Sequence, residues 1–428
     1  MFTATINTLT NANVSIFPRF NNFLFRVLIF SFPALLSLHS VKISIIIVSY
    51  NVKYFLEQCL CSLLRAVDRL DCGPGEERSE ILVIDNHSAD ESLSYLRARF
   101  PVARFVANAE NTGFARACNQ GLSMARGDYV LFLNPDTIVA EDSLEKSLAF
   151  LMSHSRAGAL GVKMLDGKGV FLKESMRGFP TPWVSFCKLS GLAFLFPRSR
   201  WFGRYYLGYL SRAENNEVDA LSGAFMMVRK EVVDKTGGFD ERFFMYAEDI
   251  DLSYRIRQAG FCNVYFQETS IIHFKGESTR KDARYVRLFY TAMAQFIRKH
   301  YAAGSSRIFL VCLEAGIWLR SRISLLGNFL FERRRSAEPR KIFSRLAGDR
   351  TSIKKLSSVF PLPGRVLADR PDEATEVIYC EGPGFTFKKL IEAFEEHKDS
   401  LSFKIHAMNS SSFVGSDSKN KSGESVSW

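Results

Sequence analysis

The sequence predicts a doubly wound α/β fold, in which a mostly parallel sheet is flanked by helices and followed by a C-terminal helical extension. Two observations carry this prediction. Apart from Ser44, the segments 43–48 and 130–133 are apolar throughout rather than alternating, which is typical of strands buried on both faces of a parallel sheet. Each run ends at a polar turn, and segments with helical spacing separate the runs, so strands and helices alternate.

The first elements follow one another regularly from residue 41 onward. Apolar residues in 52–70 recur on one side of a helix, and a loop rich in Gly, Pro and acidic residues follows at 71–77. Ser88 or Asp90 is a suitable cap for the next helix, which runs to about residue 99. The predicted strands are 43–48, 81–84, 104–107 and 130–133, and a third helix is expected from about residue 111 to residue 125.

The fourth predicted strand ends at a notable turn, Asn134-Pro135-Asp136. Pro135 has no N–H to donate to a sheet ladder, so the strand should end before it. Asp136 then lies at the carboxyl end of a central strand, where open α/β sheets bind their ligands. The alternative is a plain turn in which Asp136 caps a following helix.

The second half of this domain contains a predicted strand and a predicted helix that bear polar residues. Ser222 and Gly223 lie inside a predicted strand at 218–228, and a glycine there often marks the close approach of a ligand or of another backbone. Glu248 and Asp249 begin a helix that ends near Gly260. Acidic residues in a first helical turn are stabilised by the helix dipole by about 0.3–1 kcal/mol, which is the structural alternative for this pair.

Composition narrows the class of protein. The chain of 428 residues suits one large core with appendages, and its formal net charge of +11 fits anionic lipid, nucleic acid or phosphorylated ligands. The eight cysteines form no Cys-x-x-Cys pair, which favours a reducing compartment. No Gly-x-Gly-x-x-Gly follows the first strand, which argues against a dinucleotide site. The order of elements matches no nucleic-acid module, so nucleic acid is not an expected partner.

Five segments are predicted along the chain. Residues 1–40 are an N-terminal extension, either upstream of the true start of translation or a weak membrane anchor, and 41–300 form the main α/β domain. The basic, apolar segment 301–345 is expected to be an amphipathic helix on an anionic cytoplasmic leaflet, with a helix packed on the core as the alternative. A small βαβ unit is predicted at 371–408 and a disordered tail at 409–428.

Six motifs in a fixed order carry a family resemblance. They read SIIIVSYN at 44–51, VIDNHSAD at 83–90, NTGFARACN at 111–119, LNPD at 133–136, SGAFM at 222–226 and FMYAEDIDLSYR at 244–255. Over roughly residues 41–300 the chain resembles family 2 glycosyltransferases of the rhamnosyltransferase-like branch. The resemblance implies the GT-A type of doubly wound sheet.

The resemblance implies a divalent metal, Mg²⁺ or Mn²⁺, that stabilises a departing diphosphate as a Lewis acid. Asp136 matches the family's metal carboxylate, and His273 matches the histidine that completes the metal site. The family's Asp-x-Asp motif appears here with Asn134 at its first position, so one carboxylate is replaced by an amide. The alternative for His273 is a side chain satisfied by a neighbouring carbonyl at a strand end.

The resemblance also implies a pocket for a nucleotide-sugar donor. Asp85 matches the residue that binds the pyrimidine base, with an Asx turn as its structural alternative. Backbone N–H groups at the start of the third helix can approach the donor's phosphates, although Asn111 could also be a simple helix cap. The residues predicted to bind the donor are Tyr50, Asn51, Asp85, Asn111, Asn119 and Arg280.

In the family's Glu-Asp motif the aspartate, here Asp249, is the general base. The residues predicted to be catalytic are Asp249 and Glu248. Asp249 would take the proton of the acceptor hydroxyl as its oxygen attacks the anomeric carbon, and a single displacement inverts the configuration. The segment 166–216, rich in aromatic and basic residues, is interpreted as an acceptor-side insertion. The residues predicted on the acceptor side are Trp183, Ser222 and Gly223.

The expected function is therefore an inverting glycosyltransferase. Its donor would be dTDP-rhamnose or a UDP-sugar, and its acceptor a hydroxyl of a cell-surface polysaccharide or a lipid-linked glycan. The expected location is cytoplasmic, with peripheral contact to the inner face of the cell membrane. A non-catalytic nucleotide-sugar binding protein at the membrane is the alternative. A nucleotidyltransferase would need a basic, Gly-rich loop at 49–51, and a membrane scaffold would have no need of the acidic pair 248–249.

Overall fold

The computed structural model describes residues 42–71, 79–274, 283–301, 341–398, 401–416 and 423–428. The predicted extension at 1–40, most of the predicted interfacial helix at 301–345 and Arg280 lie outside these residues. Those assignments stay predictions, as does the domain boundary near residue 300.

Nine strands form the larger sheet. They are β1 Ile43–Ser49, β2 Ser79–Asp85, β3 Ala103–Ala107, β4 Tyr129–Leu133, β5 Thr137–Val139, β6 Ala157–Leu165, β7 Asn216–Val218, β8 Phe225–Arg229 and β9 Cys262–His273. Their order is β3-β2-β1-β4-β8-β6-β9-β5, with β7 paired to β9. β3, β2, β1 and β4 are parallel, whereas β8 runs antiparallel to both β4 and β6. The predicted α/β sheet is confirmed, with a parallel first half and a mixed second half.

Helices cover both faces of this sheet. They are α1 Lys53–Leu70, α2 Ser92–Arg99, α3 Phe114–Met124, α4 Ser143–Ser153, α5 Pro182–Leu189, α6 Leu192–Leu195, α7 Lys230–Thr236, α8 Glu248–Gln258 and α9 Ala283–Tyr301. Ile45 and Ile47 of β1 pack with Leu60 of α1 on one face, while Ile46 packs with Ala117 of α3 on the other. Because alternate residues of a strand point to opposite faces, a continuous apolar run is required to fill both layers. Among the described residues, no helix combines the length and apolar character that crossing a membrane requires.

The strand predicted at 218–228 is broken in the structure. β7 ends at Val218 and β8 begins at Phe225, with a loop between them. The N–H of Gly223 donates to the carboxylate of Asp249 rather than to a neighbouring strand. Ser222 and Gly223 therefore lie in a loop that contacts the start of α8, which corrects the prediction of a single strand.

A second sheet of six strands follows α9 in the chain. Its strands are β10 Ile342–Gly348, β11 Arg365–Leu367, β12 Glu376–Cys380, β13 Ser402–His406, β14 Ser412–Gly415 and β15 Glu424–Ser427, and its helices are α10 Arg350–Ser357 and α11 Phe387–Glu396. The order is β11-β10-β12-β13-β14-β15, parallel except at β14 and β15. The region from β10 onward is thus a further α/β sheet, and the helical extension predicted at 301–345 lies mostly outside the described residues.

This second sheet changes two predictions about the C-terminal region. The βαβ unit predicted at 371–408 corresponds to β12, α11 and β13, which belong to the larger assembly. The tail predicted to be disordered contributes β14 and β15 instead. Phe413 and Val414 are fully buried, and the carboxylate of Glu424 pairs with Arg365 and with the buried Lys404. Burial and ion pairing order a segment whose composition alone suggests disorder.

The second sheet packs against the first through α1, β5 and β9. Phe55 and Phe274 share an apolar cluster with Phe387 and Phe394 of α11. Glu141, shortly after β5, accepts the N–H groups of Phe387 and Lys388 at 2.7 and 2.8 Å, which caps the start of α11. The two sheets are therefore joined by a common core and by a helix cap.

The carboxylate of Asp349 accepts backbone N–H groups at the carboxyl edge of the second sheet. Asp349 directly follows β10 and accepts N–H groups from Thr351 and Ser352 of α10 and from Gly384 beyond β12. A Cβ atom on Gly382 would lie 2.5 Å from the Cγ atom of Asp349, so only glycine allows this approach. The N–H groups of Ser352 and Gly384 hold the pKa of Asp349 below its usual value.

Candidate functional site

The predicted polar residues gather at the carboxyl edge of the parallel half of the first sheet. Ser49 at the end of β1 lies beside Asp85 at the end of β2, and Asp136 follows β4, the strand on the other side of β1. Because the carboxyl ends of parallel strands meet at one edge, the register of these strands brings distant residues together. This is the edge at which open α/β sheets bind ligands.

Asp136 and His273 are neighbours because β5 pairs with β9. Thr137 lies opposite His273 in this antiparallel pair, so the preceding Asp136 contacts the histidine: its Oδ1 lies 3.3 Å from His273 Nε2. Asn134 Nδ2 lies 3.3 Å from the same ring nitrogen. Both Asp136 and His273 are buried. His273 Nε2 thus contacts two side chains of the predicted metal motif. The structural alternative predicted a contact with a backbone carbonyl instead.

These residues fit a metal that is shared with a ligand. The described residues contain no cluster of three or more His, Cys, Asp or Glu that could hold a metal alone. Mg²⁺ is typically bound by one or two carboxylates together with substrate phosphates, and Mn²⁺ also accepts imidazole. Asp136 and His273 match that type of site, in which phosphate oxygens and water complete the coordination shell.

Asp85 has one satisfied and one unsatisfied oxygen. Its Oδ2 accepts the N–H of Ser88 at 3.0 Å, which is the Asx turn of the structural alternative. Its Oδ1 is buried and has no hydrogen-bond partner within the described residues. Leaving a buried acceptor unpaired is costly, so this oxygen is available to a ligand's donor. The turn and the predicted base contact are therefore compatible.

A second turn lies beside Asp85. Asn51 has a left-handed backbone with φ of 54° and accepts the N–H of Ala89 at 2.7 Å, while its own N–H donates to Ser88 Oγ. Tyr50 precedes it and is half-buried. Hydrogen bonds thus connect the turns after β1 and β2, so Tyr50 and Asn51 lie at the same edge of the sheet as Asp85.

The two asparagines of the third motif have different environments. Asn111 lies before α3, and its Oδ1 accepts the Gly113 N–H and an amide N–H of Asn86. Asn119 lies inside α3 rather than at its start, and its amide bonds both the N–H and the carbonyl of Phe239. Asn119 therefore anchors the loop after α7, and this placement does not support the predicted donor contact.

Asp249 is held in a buried ion pair. Its Oδ2 lies 2.5 Å from Arg177 Nη2 and accepts the Gly223 N–H at 3.1 Å, while its Oδ1 accepts the Ile250 N–H at 2.7 Å. Three groups thus fix the orientation of this carboxylate. The chain that leads into it is unusual, because Tyr246 and Ala247 both have left-handed backbones with φ of 71° and 65°. Such strain in non-glycine residues clusters at functional sites.

Glu248 and Asp251 differ from Asp249. Burial and the neighbouring Asp249 raise the pKa of Glu248 to about 8, and its Oε2 has no hydrogen-bond partner among the described residues. Glu248 therefore holds a proton more readily than an exposed glutamate does. Asp251 pairs with Arg255, Lys299 and His300. A structural role explains Asp251, but it leaves the open oxygen of Glu248 unexplained.

Arg177 was not singled out as a site residue by the sequence. It lies in the aromatic and basic segment 166–216, forms an isolated bridge with Ala220 and donates to the carbonyl of Leu221 as well as to Asp249. Its partner carboxylate lies 72 positions away in the chain. No local sequence pattern predicts a contact between positions so far apart. The sequence shows Arg177 only as one of several basic residues in the segment 166–216.

Replacing Arg177 by Met should lower the free energy of unfolding by about 3–5 kcal/mol, because Asp249 would remain buried without its partner. Denaturation by urea measures this loss. Lys230→Met is the matched control, since it breaks the more exposed Lys230–Asp234 pair and should cost about 0–1 kcal/mol. Equal, small losses in both variants would contradict a buried ion pair at Asp249.

The predicted acceptor-side residues do not form one group. Gly223 contacts Asp249, and Ser222 Oγ accepts the N–H of Ala224 in the same loop. Trp183 lies on α5 with 47% of its surface exposed, and its indole N–H donates to the carbonyl of Trp201. Trp183 thus belongs to a separate surface formed by residues after Arg177.

Comparison with known proteins identifies a matching family and similar proteins. Residues 44–237 match the sequence model described as Glycosyl transferase family 2. The N-acetylglucosaminyl-diphospho-decaprenol L-rhamnosyltransferase of Mycobacterium tuberculosis is 29% identical over 285 residues, which is 64% of this chain and 85% of that protein. Rhamnosyltransferase WbbL of Escherichia coli is 31% identical over 156 residues, which is 36% of this chain and 56% of WbbL.

Solved structures show a weaker likeness. Staphylococcus aureus TarS is 18% identical with a TM-score of 0.41, covering 60% of this chain and 40% of TarS. The mannosyltransferase PcManGT of Pyrobaculum calidifontis, in complex with GDP-Man and Mn²⁺, is 17% identical with a TM-score of 0.43, covering 68% of this chain and 75% of that one. The fold described above rests on the strand order of the sheet itself.

Proposed function

We propose that this chain, whose residues 44–237 form a glycosyl transferase family 2 domain, is an inverting enzyme that transfers a sugar, by preference rhamnose, from a nucleotide diphosphate to a hydroxyl group. One observation carries the proposal. The Asn134 N–H donates to the Ala224 carbonyl, and the Gly223 N–H donates to the Asp249 carboxylate. This chain of contacts joins the Asp136–His273 pair to the Asp249–Arg177 pair in one site.

In the proposed reaction, the acceptor hydroxyl gives its proton to Asp249. The acceptor oxygen forms a bond to the anomeric carbon while the bond from that carbon to the diphosphate oxygen breaks. The nucleotide diphosphate leaves with the bonding electrons, and the configuration at the anomeric carbon inverts. Arg177 and the Gly223 N–H orient the carboxylate, and its Oδ1 accepts a backbone N–H from the adjacent Ile250.

Donor recognition follows from the turns at the parallel edge. The unpaired Oδ1 of Asp85 would accept the N–H of a uracil or thymine ring. Tyr50 and Asn51 would line the same pocket, and N–H groups at the start of α3 would approach the diphosphate. Asp136 and His273 would hold a Mg²⁺ or Mn²⁺ ion, which supplies Lewis-acid stabilisation of the leaving group. Arg280, which lies outside the described residues, remains a proposed phosphate contact.

A lipid-linked glycan is the proposed acceptor. The name of the mycobacterial relative describes a rhamnosyltransferase acting on a diphospho-decaprenol-linked sugar, and we extend that class of acceptor to this chain. We propose that the reaction takes place in the cytoplasm, at the inner face of the cell membrane. The formal net charge of +11 suits peripheral contact with an anionic leaflet.

Asp136→Ala should strongly lower metal-dependent release of nucleotide from the donor. The test incubates the full chain with Mg²⁺ or Mn²⁺ and a panel of UDP- and dTDP-sugars, and follows nucleotide release with and without a chelator. The native protein should release nucleotide from one donor, and removal of the metal should lower the rate about 10²-fold or more, because the leaving diphosphate loses its Lewis acid. Asp136→Ala should lower it similarly.

Asp128→Ala is the matched control for this experiment. Asp128 lies just before β4, at the opposite end of the strand from Asp136, and pairs with Lys42 at the surface. Its loss should leave nucleotide release unchanged. If no donor is hydrolysed even with acceptor membranes present, but calorimetry still shows nucleotide-sugar binding, the non-catalytic binding protein replaces the enzyme. Asn134 would then explain the lost activity.

A further inference from the structure

An aromatic patch stands out on the surface after Arg177. Six of the eleven large apolar side chains exposed among the described residues lie between positions 183 and 201. Phe194 is 82% exposed and Trp201 is 74% exposed. We define the aromatic patch as Trp183, Phe186, Phe194, Leu195, Phe196 and Trp201. Exposed apolar groups of this density mark an interaction surface in a soluble protein.

Several rings of the aromatic patch contact one another, and α5 beneath them packs on the core. The Trp183 ring lies 5.7 Å from Phe186 and 6.2 Å from Phe202, and Phe202 lies 5.6 Å from Phe196. Underneath, Val184 of α5 packs with Met293 of α9. α5 thus has apolar residues both on its inner side and on its outer side, a pattern that favours a second apolar environment outside the protein.

The charged side chains within the segment that carries the aromatic patch are all basic. Residues 183–204 contain Lys188, Arg198, Arg200 and Arg204 and no acidic residue. Arg198, Arg200 and Arg204 are exposed. Tryptophan and phenylalanine bordered by basic side chains are the combination that settles into the headgroup region of an anionic bilayer.

The aromatic patch is connected directly to the proposed active site. Thr181 caps α5, a few residues after Arg177, which holds Asp249. The Gly178 N–H donates to the Tyr205 carbonyl at 3.0 Å, so the far end of the patch segment returns to the same place. A membrane at the aromatic patch would therefore lie beside the acceptor side of the site.

We propose that the aromatic patch is a membrane-docking surface, which inserts into the interface of an anionic phospholipid bilayer and turns Asp249 toward acceptors held in that bilayer. The docking itself stands on the exposed rings and the basic rim. Only the orientation toward an acceptor rests on the proposed function.

The test is flotation of the full chain with vesicles of phosphatidylcholine, with and without phosphatidylglycerol. The native protein should bind the anionic vesicles, and added salt should weaken the binding because the basic rim is screened. The double variant Phe194→Glu/Trp201→Glu should lower the vesicle-bound to free ratio by about tenfold or more. Val102→Glu/Met152→Glu adds the same charge at two exposed apolar positions on other elements and should bind as the native protein does.

Three results would overturn the proposal: no binding of the native protein to anionic vesicles, equal binding of the patch variant, or an equal loss in the control variant. Sedimentation without vesicles tests whether the patch binds a second copy of the chain instead. That interpretation would be correct if the native protein is a dimer, the patch variant is a monomer, and the patch variant still binds vesicles. Nucleotide release is measured on the same samples. If the protein binds vesicles but hydrolyses no donor, the docking proposal stands and the proposed function is wrong. If it hydrolyses a donor but does not bind vesicles, the docking proposal is wrong and the proposed function stands.

Discussion

Replacing Asp249 by Asn should remove most of the sugar transfer and leave donor binding intact. Asparagine keeps the size of the side chain but cannot accept the proton of the attacking hydroxyl. General-base catalysis typically contributes about 10²–10⁴-fold, so kcat should fall by that factor. The measurement is the rate of nucleotide release with acceptor membranes, together with calorimetric binding of UDP or dTDP.

This substitution also breaks the ion pair with Arg177, so stability has to be separated from chemistry. The double variant Arg177→Met/Asp249→Asn removes both charges and should regain part of the unfolding free energy without regaining kcat. Asp234→Asn, at an exposed position of α7, should keep the native rate. If Asp249→Asn stays within tenfold of the native kcat, Asp249 is not the base, and Glu248 becomes the residue to replace next.

Deleting residues 341–428 should prevent the rest of the chain from folding into a soluble protein. The apolar cluster shared by the two sheets would lose one side, which exposes Val52, Phe55 and Ile272 among others. Burial of each side chain of this size is worth about 1.5–3 kcal/mol. Because the whole stability of a domain is about 5–15 kcal/mol, a few such losses are enough to unfold it.

Soluble yield and binding of a hydrophobic dye measure the effect of the deletion. Single substitutions in the full chain serve as its controls. Phe394→Ala removes a fully buried ring of α11 and should cost about 3–5 kcal/mol. Leu367→Ala, at a 38% exposed position of β11, should change the unfolding free energy by about 0.5 kcal/mol or less. A deleted chain that stays monomeric with a native melting temperature would show that the first sheet folds alone.

The parallel half of the first sheet was predictable because its signals are local. A continuous apolar run and a proline define β4, and the predicted strand at 43–48 differs from β1 by a single residue. β14 and β15 were missed because their order comes from distant partners. Lys404 is fully buried beside Glu424, and neither residue indicates a strand on its own. The six motifs predicted a family 2 glycosyltransferase, and residues 44–237 match the sequence model of that family.

The sequence predicted most residues of the candidate site, but it did not predict which of them contact one another. Asp85 and Asp136 could be placed at one edge because parallel strands end together. The contact of Asp136 with His273 depends on the pairing of β5 with β9, which joins positions far apart in the chain. Asn119 shared a motif with Asn111, but the helix register turns its amide toward Phe239. Arg177 reaches Asp249 through folding of the whole insertion.

Asp349 makes the carboxyl edge of the second sheet different from that of the first. The chain leaves β10 for β11 on one side and β12 for β13 on the other, so the gap between β10 and β12 is the crevice where such sheets hold a ligand. A phosphate arriving there would meet a carboxylate that already occupies three N–H groups. The chain's own carboxylate thus satisfies the N–H groups of this crevice, whereas the unpaired Oδ1 of Asp85 leaves the edge of the first sheet open to a ligand.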